Sequence, residues 1–141
     1  MTTIAYNHED KQVAVDSRST AGGIVISDVS DKAYVNKFGT WVLCGAICDI
    51  PDFITLSKYK EFNKDLELEV DGLRITDNVT YRVFMHEGVF CEEVVTCNVA
   101  FGSGSKFALA AMDHGKSAED AVKYAMTRDI YSGGKVNVFD V

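Results

Sequence analysis

Apolar and polar residues alternate along most of the chain before Gly102, which is typical of β-strands with one buried face. The runs Thr3 to Tyr6 and Gln12 to Asp16 flank the polar segment NHEDK and predict a β-hairpin. KAYVNKF and TWVLCG flank a second turn, around Lys37 to Gly39. LELEVDGLRI, TYRVFMHEGVF and EEVVTCNVAF predict further strands, with Asp71-Gly72 and Glu87-Gly88 as turns.

One segment in this half has a helical period instead. The apolar residues of DIPDFITLSKYKEF fall on one helical face: Phe53, Ile54, Leu56, Tyr59 and Phe62. Pro51 suits the first turn of such a helix, and Asp49 is a candidate for its cap. The pattern therefore predicts a helix between two groups of strands.

After GSGS the chain becomes helical. Four apolar residues share one face of the predicted helix: Phe107, Ala108, Ala111 and Met112. Gly115 is the expected C-terminal stop and Ser117 the N-cap of the next helix. That helix has its own apolar stripe: Ala118, Ala121, Val122, Ala125 and Met126.

The run KVNVFDV predicts a last strand. The order is strands, one helix, strands, two helices and a strand, which favours an α+β domain with helices packed on stacked sheets. The chain has 141 residues, no Ser/Gly-rich linker and a single proline. We therefore expect a single domain spanning residues 1–141.

Composition narrows the range of functions. A net charge of -7 without any long basic run argues against nucleic acid as a partner. No apolar stretch approaches the length of a membrane span or forms a signal segment, so we expect a cytoplasmic protein. The four cysteines form no CxxC pair, and the three histidines do not cluster with them. Free, buried thiols are expected, with no metal site and no cofactor.

Two glycine-containing segments invite a nucleotide-binding interpretation. AAMDHGKS fits a loosened phosphate-loop pattern, but it follows helical residues where a phosphate loop follows a strand. GSGS lacks the third glycine of the dinucleotide-binding fingerprint. Both segments are explained by helix ends, so neither predicts a nucleotide site.

Six segments, in order, resemble the β subunits of proteasomes and the related bacterial two-ring ATP-dependent protease. They are TTIAY, VAVDSRSTAGG, DK at Asp31-Lys32, CGAICD, GSGSKFALAA and RDIYSGGKVNVF. The stretch between about Asp52 and Cys97 carries little resemblance. The chain is similar to compact members of this family found in phage and bacterial genomes, which places it in a bacterial cytoplasm, or in that of the host.

The resemblance implies a proteasome-like N-terminal nucleophile (Ntn) hydrolase with a four-layer α-β-β-α sandwich of two stacked antiparallel sheets. It implies that Met1 is removed and that the Thr2 hydroxyl attacks an amide carbonyl while the Thr2 amine takes the proton. The chemistry is reasonable because an alcohol needs an adjacent base, and a free α-amine has a pKa near 8. The implied activity is that of a threonine peptidase.

By the same resemblance, Lys32 lowers the pKa values of the Thr2 hydroxyl and amine, and Asp16 is its counterion. Gly45 supplies the oxyanion-hole amide, although the spacing leaves the Ala46 amide as an alternative. The residues expected to bind the amine and the nucleophile are Ser103, Asp129 and Ser132. Those expected to bind the extended substrate are Arg18, Ser19, Thr20 and, across the cleft, Ile47.

The expected partners are a peptide or unfolded protein as substrate, further copies of the chain in a homo-oligomeric ring, and an ATP-dependent unfoldase. Two alternatives stay open at this point. One is a small-molecule amidohydrolase on the same fold, which a deep closed pocket would favour. The other is a catalytically silent ring-forming or binding protein that keeps Met1.

Overall fold

The computed structural model describes residues 1–59 and 68–141. Its strands are β1 (Thr3–Asn7), β2 (Gln12–Val15), β3 (Ser19–Ala21), β4 (Ile24–Ser27), β5 (Ala33–Asn36), β6 (Gly39–Gly45), β7 (Val70–Thr76), β8 (Val79–His86), β9 (Val89–Val94), β10 (Val99–Gly102) and β11 (Asn137–Asp140). Its helices are α1 (Ile50–Tyr59), α2 (Ser105–Asp113) and α3 (Ala118–Met126), and a 3₁₀ turn at Ile47–Asp49 precedes α1.

Two antiparallel sheets face each other across the central core. One has the order β10-β1-β2-β11 and the other the order β5-β6-β7-β8-β9, while β3 and β4 form a separate two-stranded ribbon. Alternate residues of each sheet point into the space between the sheets. Those residues are Ile4, Tyr6, Val13 and Val15 from the first sheet, with Val42, Cys44 and Leu73 from the second.

The other face of each sheet is covered by helices. Ala5 and Ala14 pack against α2 and α3, where small side chains let the helices approach the sheet closely. On the second sheet, Trp41 and Leu43 pack with Phe53 of α1. The layers are therefore helix, sheet, sheet and helix, which confirms the four-layer sandwich expected from the sequence.

The first two predicted hairpins and the turn at Glu87-Gly88 are confirmed, but the turn predicted at Asp71-Gly72 is wrong. Gly72 lies inside β7, and a Cβ atom there would lie 2.2 Å from the Val42 carbonyl oxygen. Glycine is needed at this position for close strand packing. The chain turns at Asp77 and Asn78, which both have positive φ (51° and 62°), as a tight hairpin requires.

Two further predictions differ in detail from the structure, and one falls outside the described residues. EEVVTCNVAF divides between β9 and β10, because the chain crosses from one sheet to the other between them. Asp49 ends the 3₁₀ turn, and its carboxylate accepts the Glu69 amide hydrogen at 3.0 Å. Phe62, assigned to the first predicted helix, lies outside the described residues.

The ends of the last two helices agree with the sequence. Gly115 follows α2 with φ of 86°, and its amide donates to the Met112 carbonyl. The Ser117 hydroxyl accepts the Asp120 amide hydrogen at 3.2 Å, as an N-cap does. These short, well-capped helices hold the loops on either side of them against the start of β1.

Candidate active site

Asp16 lies at the centre of one half of the candidate site. It directly follows β2, is fully buried, and has four hydrogen-bond donors around its carboxylate. Oδ1 accepts from the Thr3 amide and the Lys32 ammonium, both at 2.9 Å. Oδ2 accepts from the amides of Gly133 at 3.0 Å and Arg18 at 3.2 Å. Both oxygens of this buried carboxylate are therefore hydrogen-bonded.

Lys32 supplies the positive charge of this half. It lies just before β5 with 8% of its surface exposed, and its Nζ donates to Asp16 and to the Met1 carbonyl oxygen at 3.0 Å. Burial lowers the pKa of Lys32 from its ordinary value, and the neighbouring Asp16 carboxylate opposes that effect in part. The result is a buried, paired ammonium directed at the start of the chain.

A carboxylate with two hydroxyl groups forms the other half. Asp129, three residues beyond α3, accepts hydrogen bonds at Oδ2 from Ser103 and Ser132, each at 2.6 Å. Its Oδ1 accepts the Tyr131 amide hydrogen at 3.2 Å. Ser103 Oγ also lies 3.4 Å from the Thr2 carbonyl oxygen.

The two halves meet at Thr2. Its backbone carbonyl is near Ser103, and the carbonyl of the preceding Met1 accepts from Lys32. Thr2 is 5% exposed, whereas Met1 is 59% exposed. Four of the five side chains predicted around Thr2 contact the segment from Met1 to Thr3, and the fifth, Asp129, binds two of those four. The five are Asp16, Lys32, Ser103, Asp129 and Ser132.

A cleft of about 380 Å³ opens beside Thr2. Lys32, Gly45 and the substrate-binding candidates Arg18, Ser19, Thr20 and Ile47 all line it. Gly45, Ile47 and Cys48 in its wall are solvent-exposed, so the cleft reaches the surface. Such a shape suits an extended substrate better than a small enclosed one.

Gly45 ends β6 with φ of 124°, a conformation that favours glycine. A Cβ atom there would lie 1.7 Å from the Glu69 carbonyl oxygen. The Leu43 amide donates toward β5, to Lys32 O, and the Ala46 amide donates toward β7, to Glu69 O. Because strand amides alternate in direction, the Gly45 amide points to the β5 side, beyond the end of that strand. The Ala46 amide is already used.

The candidate substrate-binding residues lie on two sides of the cleft. Arg18 makes a bidentate ion pair with Asp28, with Nε–Oδ1 at 2.7 Å and Nη2–Oδ2 at 3.1 Å. Ser19 and Thr20 belong to β3, which pairs only with β4 among the described strands. Opposite them, the Ile47 carbonyl accepts the Ile50 amide hydrogen within the 3₁₀ turn.

Cys44 is not a competing nucleophile. Its thiol is buried and donates to the Asp71 carbonyl at 3.3 Å. Burial raises the pKa of Cys44 to about 12, so almost no thiolate forms at neutral pH. All four cysteines are free, as predicted, but the prediction that they are buried is wrong for Cys48 and Cys97, which are exposed.

One site residue escaped the sequence analysis. Thr3 is fully buried, and its Oγ1 lies 2.6 Å from Ser132 Oγ. The signal was present, because the sequence opens with two adjacent threonines, but only the first has a role in the expected chemistry. The side-chain period of a strand places the second threonine inside the fold.

The described residues include no cluster of three His, Cys, Asp or Glu side chains arranged to hold a metal ion. Within the same residues, every helix is too short or too polar to span a bilayer.

No protein-family model matches this sequence, and no curated protein matches it. Solved structures do match. A eukaryotic HslV from Trypanosoma brucei has a TM-score of 0.75 at 19% identity, covering 98% of both chains. BPH from Thiobacillus denitrificans, in complex with epoxomicin, has a TM-score of 0.74 at 19% identity, covering 98% of this chain and 97% of that one. A second BPH structure has a TM-score of 0.72 at 19% identity, with 98% and 96% covered. The matches confirm the predicted proteasome-like Ntn-hydrolase fold.

Proposed function

We propose that this chain, which shares the fold of HslV and BPH, is a threonine-type N-terminal nucleophile hydrolase that cleaves peptide bonds once Met1 is removed. The observation that carries the proposal is that a buried Lys32–Asp16 ion pair and the Ser103–Asp129–Ser132 cluster both contact the segment from Met1 to Thr3, on either side of Thr2. Buried charges are costly unless they are paired. Two such groups around one threonine are better explained by chemistry than by stability.

The reaction proceeds in two stages. The free Thr2 amine takes the proton of the Thr2 hydroxyl, directly or through a water molecule, as Oγ1 attacks the substrate carbonyl carbon. The carbon–nitrogen bond then breaks, and the leaving amine takes that proton, which leaves an ester on Thr2. Water hydrolyses the ester by the same base, giving a carboxylic acid and the free Thr2 hydroxyl.

Lys32 and Asp129 have different electrostatic roles in the reaction. The Lys32 ammonium favours the deprotonated hydroxyl and the neutral amine, because a nearby positive charge lowers both pKa values. Asp129, with Ser103 and Ser132, holds and orients the amine, which becomes positively charged during turnover. Gly45 donates its amide to the oxyanion of the tetrahedral intermediate, and its position beyond the end of β5 supports this role.

The substrate is an extended peptide or an unfolded protein. The edge of β3 that faces the cleft offers backbone groups at Thr20, and an extended peptide binds such an edge as an added strand. The cleft opens to solvent at Ile47, so a chain longer than the cleft can pass through it. This opening also favours a peptide over the small-molecule amide that is the first alternative.

We also propose that identical copies assemble through the β3–β4 ribbon. Ile24, Val25 and Ile26 are 67%, 45% and 65% exposed, and the ribbon pairs with no other described strand. A two-stranded ribbon alone in water is marginally stable, so a partner surface is expected to cover it. The segment from Ser19 to Ser27 carries no charge, although the chain has a net charge of -7. Identical acidic chains make contact with the least repulsion where they are uncharged.

A complementary surface lies on the same chain. A groove of about 640 Å³ runs between the free edges of β5 and β11, and the exposed side chains of Val29, Val35 and Val138 line it. Ribbon and groove are different surfaces, so their contact is head-to-tail. Repeated contacts of this kind close into a ring when the rotation permits. An ATP-dependent unfoldase that feeds such a ring is the remaining proposed partner.

A second candidate function is supported by one contact. The Met1–Thr2 peptide bond blocks the amine, and the Met1 carbonyl occupies Lys32. A chain that keeps Met1 in the cell would be a silent binding protein on this fold.

The test is the intact mass of protein purified from its natural host, followed by a peptide-hydrolysis assay with a Thr2→Ala variant as the control. A mass without methionine and hydrolysis that the variant loses would support the enzyme. Retained methionine and no hydrolysis would support the silent binding protein.

A further inference from the structure

Thr3 is joined to both halves of the candidate site. Its amide donates to Asp16 Oδ1 at 2.9 Å, and its carbonyl accepts the Asp16 amide hydrogen at 3.2 Å. Its side-chain oxygen lies 2.6 Å from Ser132 Oγ. One fully buried residue therefore links the Asp16–Lys32 pair to the Asp129 cluster.

The direction of the hydrogen bonds follows from counting hydrogens. A serine hydroxyl has a single hydrogen to donate. Ser132 gives its hydrogen to Asp129 Oδ2 at 2.6 Å, so the hydrogen between Ser132 and Thr3 comes from Thr3. The chain of donors runs from Thr3 through Ser132 to the Asp129 carboxylate, with Ser103 donating from the other side.

The packing around the Thr3 hydroxyl is tight. A Cβ atom on residue 104 would lie 1.9 Å from Thr3 Oγ1 and 3.2 Å from the Ala125 Cβ. Gly104 has φ of -90°, which any residue adopts, so space and not backbone conformation requires glycine there. Glycine at residue 104 therefore leaves the space that the Thr3 hydroxyl occupies.

We propose that Thr3 is a positioning residue, whose hydroxyl orients Ser132 toward Asp129 and so keeps the free Thr2 amine available as a base. The proposal rests on the proposed function. Hydrogen bonds to a carboxylate stabilise its charge and weaken its attraction for a nearby proton. Without the Thr3 donor, the charge of Asp129 is less compensated, and the Thr2 amine that this cluster is proposed to hold keeps its proton more tightly.

The test uses the full chain without Met1, released from a cleavable N-terminal fusion so that Thr2 comes first. The readout is the rate of acetylation of the Thr2 α-amine as a function of pH, measured by mass spectrometry. Thr3→Val raises the midpoint of this titration by about half a pH unit, and Thr3→Ser restores it. At neutral pH, Thr3→Val lowers kcat/KM for a peptide by roughly 10- to 100-fold.

The matched control is Thr80→Val. The Thr80 hydroxyl is also buried but has no hydrogen-bond partner among the described residues, so its loss leaves the Thr2 amine unchanged. Thr3→Ala adds no bulk near Gly104 and makes the same prediction as Thr3→Val, in case the latter does not fold. Midpoints equal to that of the wild type would overturn the proposal. Because the titration needs no hydrolysis, a shifted midpoint in a protein without peptidase activity would support the role of Thr3 and contradict the proposed function.

Discussion

The Lys32 ammonium lies 3.0 Å from the Met1 carbonyl oxygen and 2.9 Å from Asp16 Oδ1. In a chain that keeps Met1, the cation expected to act on Thr2 is therefore bound to the residue that blocks the Thr2 amine. Removal of Met1 exposes the amine and frees a Lys32 hydrogen at the same time. Under the proposed function, the first peptide bond therefore controls both the base and its electrostatic partner.

The lowered pKa of Lys32 predicts opposite effects of alkaline pH on activity and stability. Hydrolysis requires the ammonium, so kcat/KM falls as pH rises through a pKa below the ordinary value of 10.5. In the same window the unfolded chain binds more protons at Lys32 than the folded one, so this residue makes the free energy of unfolding rise with pH. Urea unfolding across that range, compared with Lys32→Met, measures the effect. An identical pH slope in the variant would contradict it.

Loss of Asp16 is expected to cost more stability than loss of Lys32. Asp16→Asn leaves the Lys32 ammonium without its counterion and leaves backbone donors without acceptors, at a cost of about 3–5 kcal/mol. Lys32→Met leaves a carboxylate that three backbone amides still bind, so the free energy of unfolding falls by less. Both variants lose peptide hydrolysis. Urea denaturation of the two variants measures the free energy of unfolding of each. A greater decrease in Lys32→Met than in Asp16→Asn would refute the assignment of Asp16 as the structural centre.

Gly45→Ala is expected to reduce activity far more than Gly115→Ala, which also replaces a glycine with positive φ. Gly115 also has positive φ but has open space around it, so Gly115→Ala costs only backbone strain, about 1–2 kcal/mol. A side chain at residue 45 also meets the Glu69 carbonyl and must displace the end of β6. We expect kcat/KM to fall by about 100-fold or more in Gly45→Ala. If steady-state kinetics show equal activity in the two variants, the Gly45 amide is not the donor to the oxyanion.

The double variant Ile24→Thr/Ile26→Thr is expected to dissociate the assembly. Threonine keeps the strand propensity of the ribbon while removing the apolar surface that a neighbouring copy would cover. Val94→Thr is the control, because Val94 is 56% exposed on β9, outside the ribbon and the groove. Sedimentation velocity should show an oligomer for the wild type and the control, and a monomer for the double variant. A monomeric wild type, or an oligomeric double variant, would refute the ribbon contact.

Most of the fold could be predicted from the sequence, because apolar residues recur with clear strand and helix periods and these periods involve only neighbouring residues. Ile4, Tyr6, Val13 and Val15 face the central core, as their alternation requires, and Ser117 caps α3 through its own hydroxyl. The Asp71-Gly72 turn was wrong because a glycine in a strand and a glycine in a turn look alike in sequence. Only the approach of Val42 from the neighbouring strand, a long-range contact, distinguishes them.

The residues of the site and the pairing of Lys32 with Asp16 were predicted from the family resemblance, but the other connections were not. Asp16 and Gly133 are joined by a hydrogen bond across 117 positions of sequence. No pattern of neighbouring residues in the sequence predicts that contact. The link from Thr3 to Ser132 escaped for the same reason, and so did the pairing of Arg18 with Asp28. Such contacts depend on which strand ends the fold brings together.

The measurement that tests the central claim most directly is covalent labelling of Thr2. Chains with and without Met1 are treated with a threonine-directed electrophile and with epoxomicin, the ligand of the BPH complex, and the modified residue is located by mass spectrometry. We predict stoichiometric labelling at Thr2 in the Met1-free chain, and none in the Met1-containing chain or in Met1-free Thr2→Ala. A folded Met1-free chain that stays unlabelled at Thr2 would contradict the claim that this protein is a threonine hydrolase.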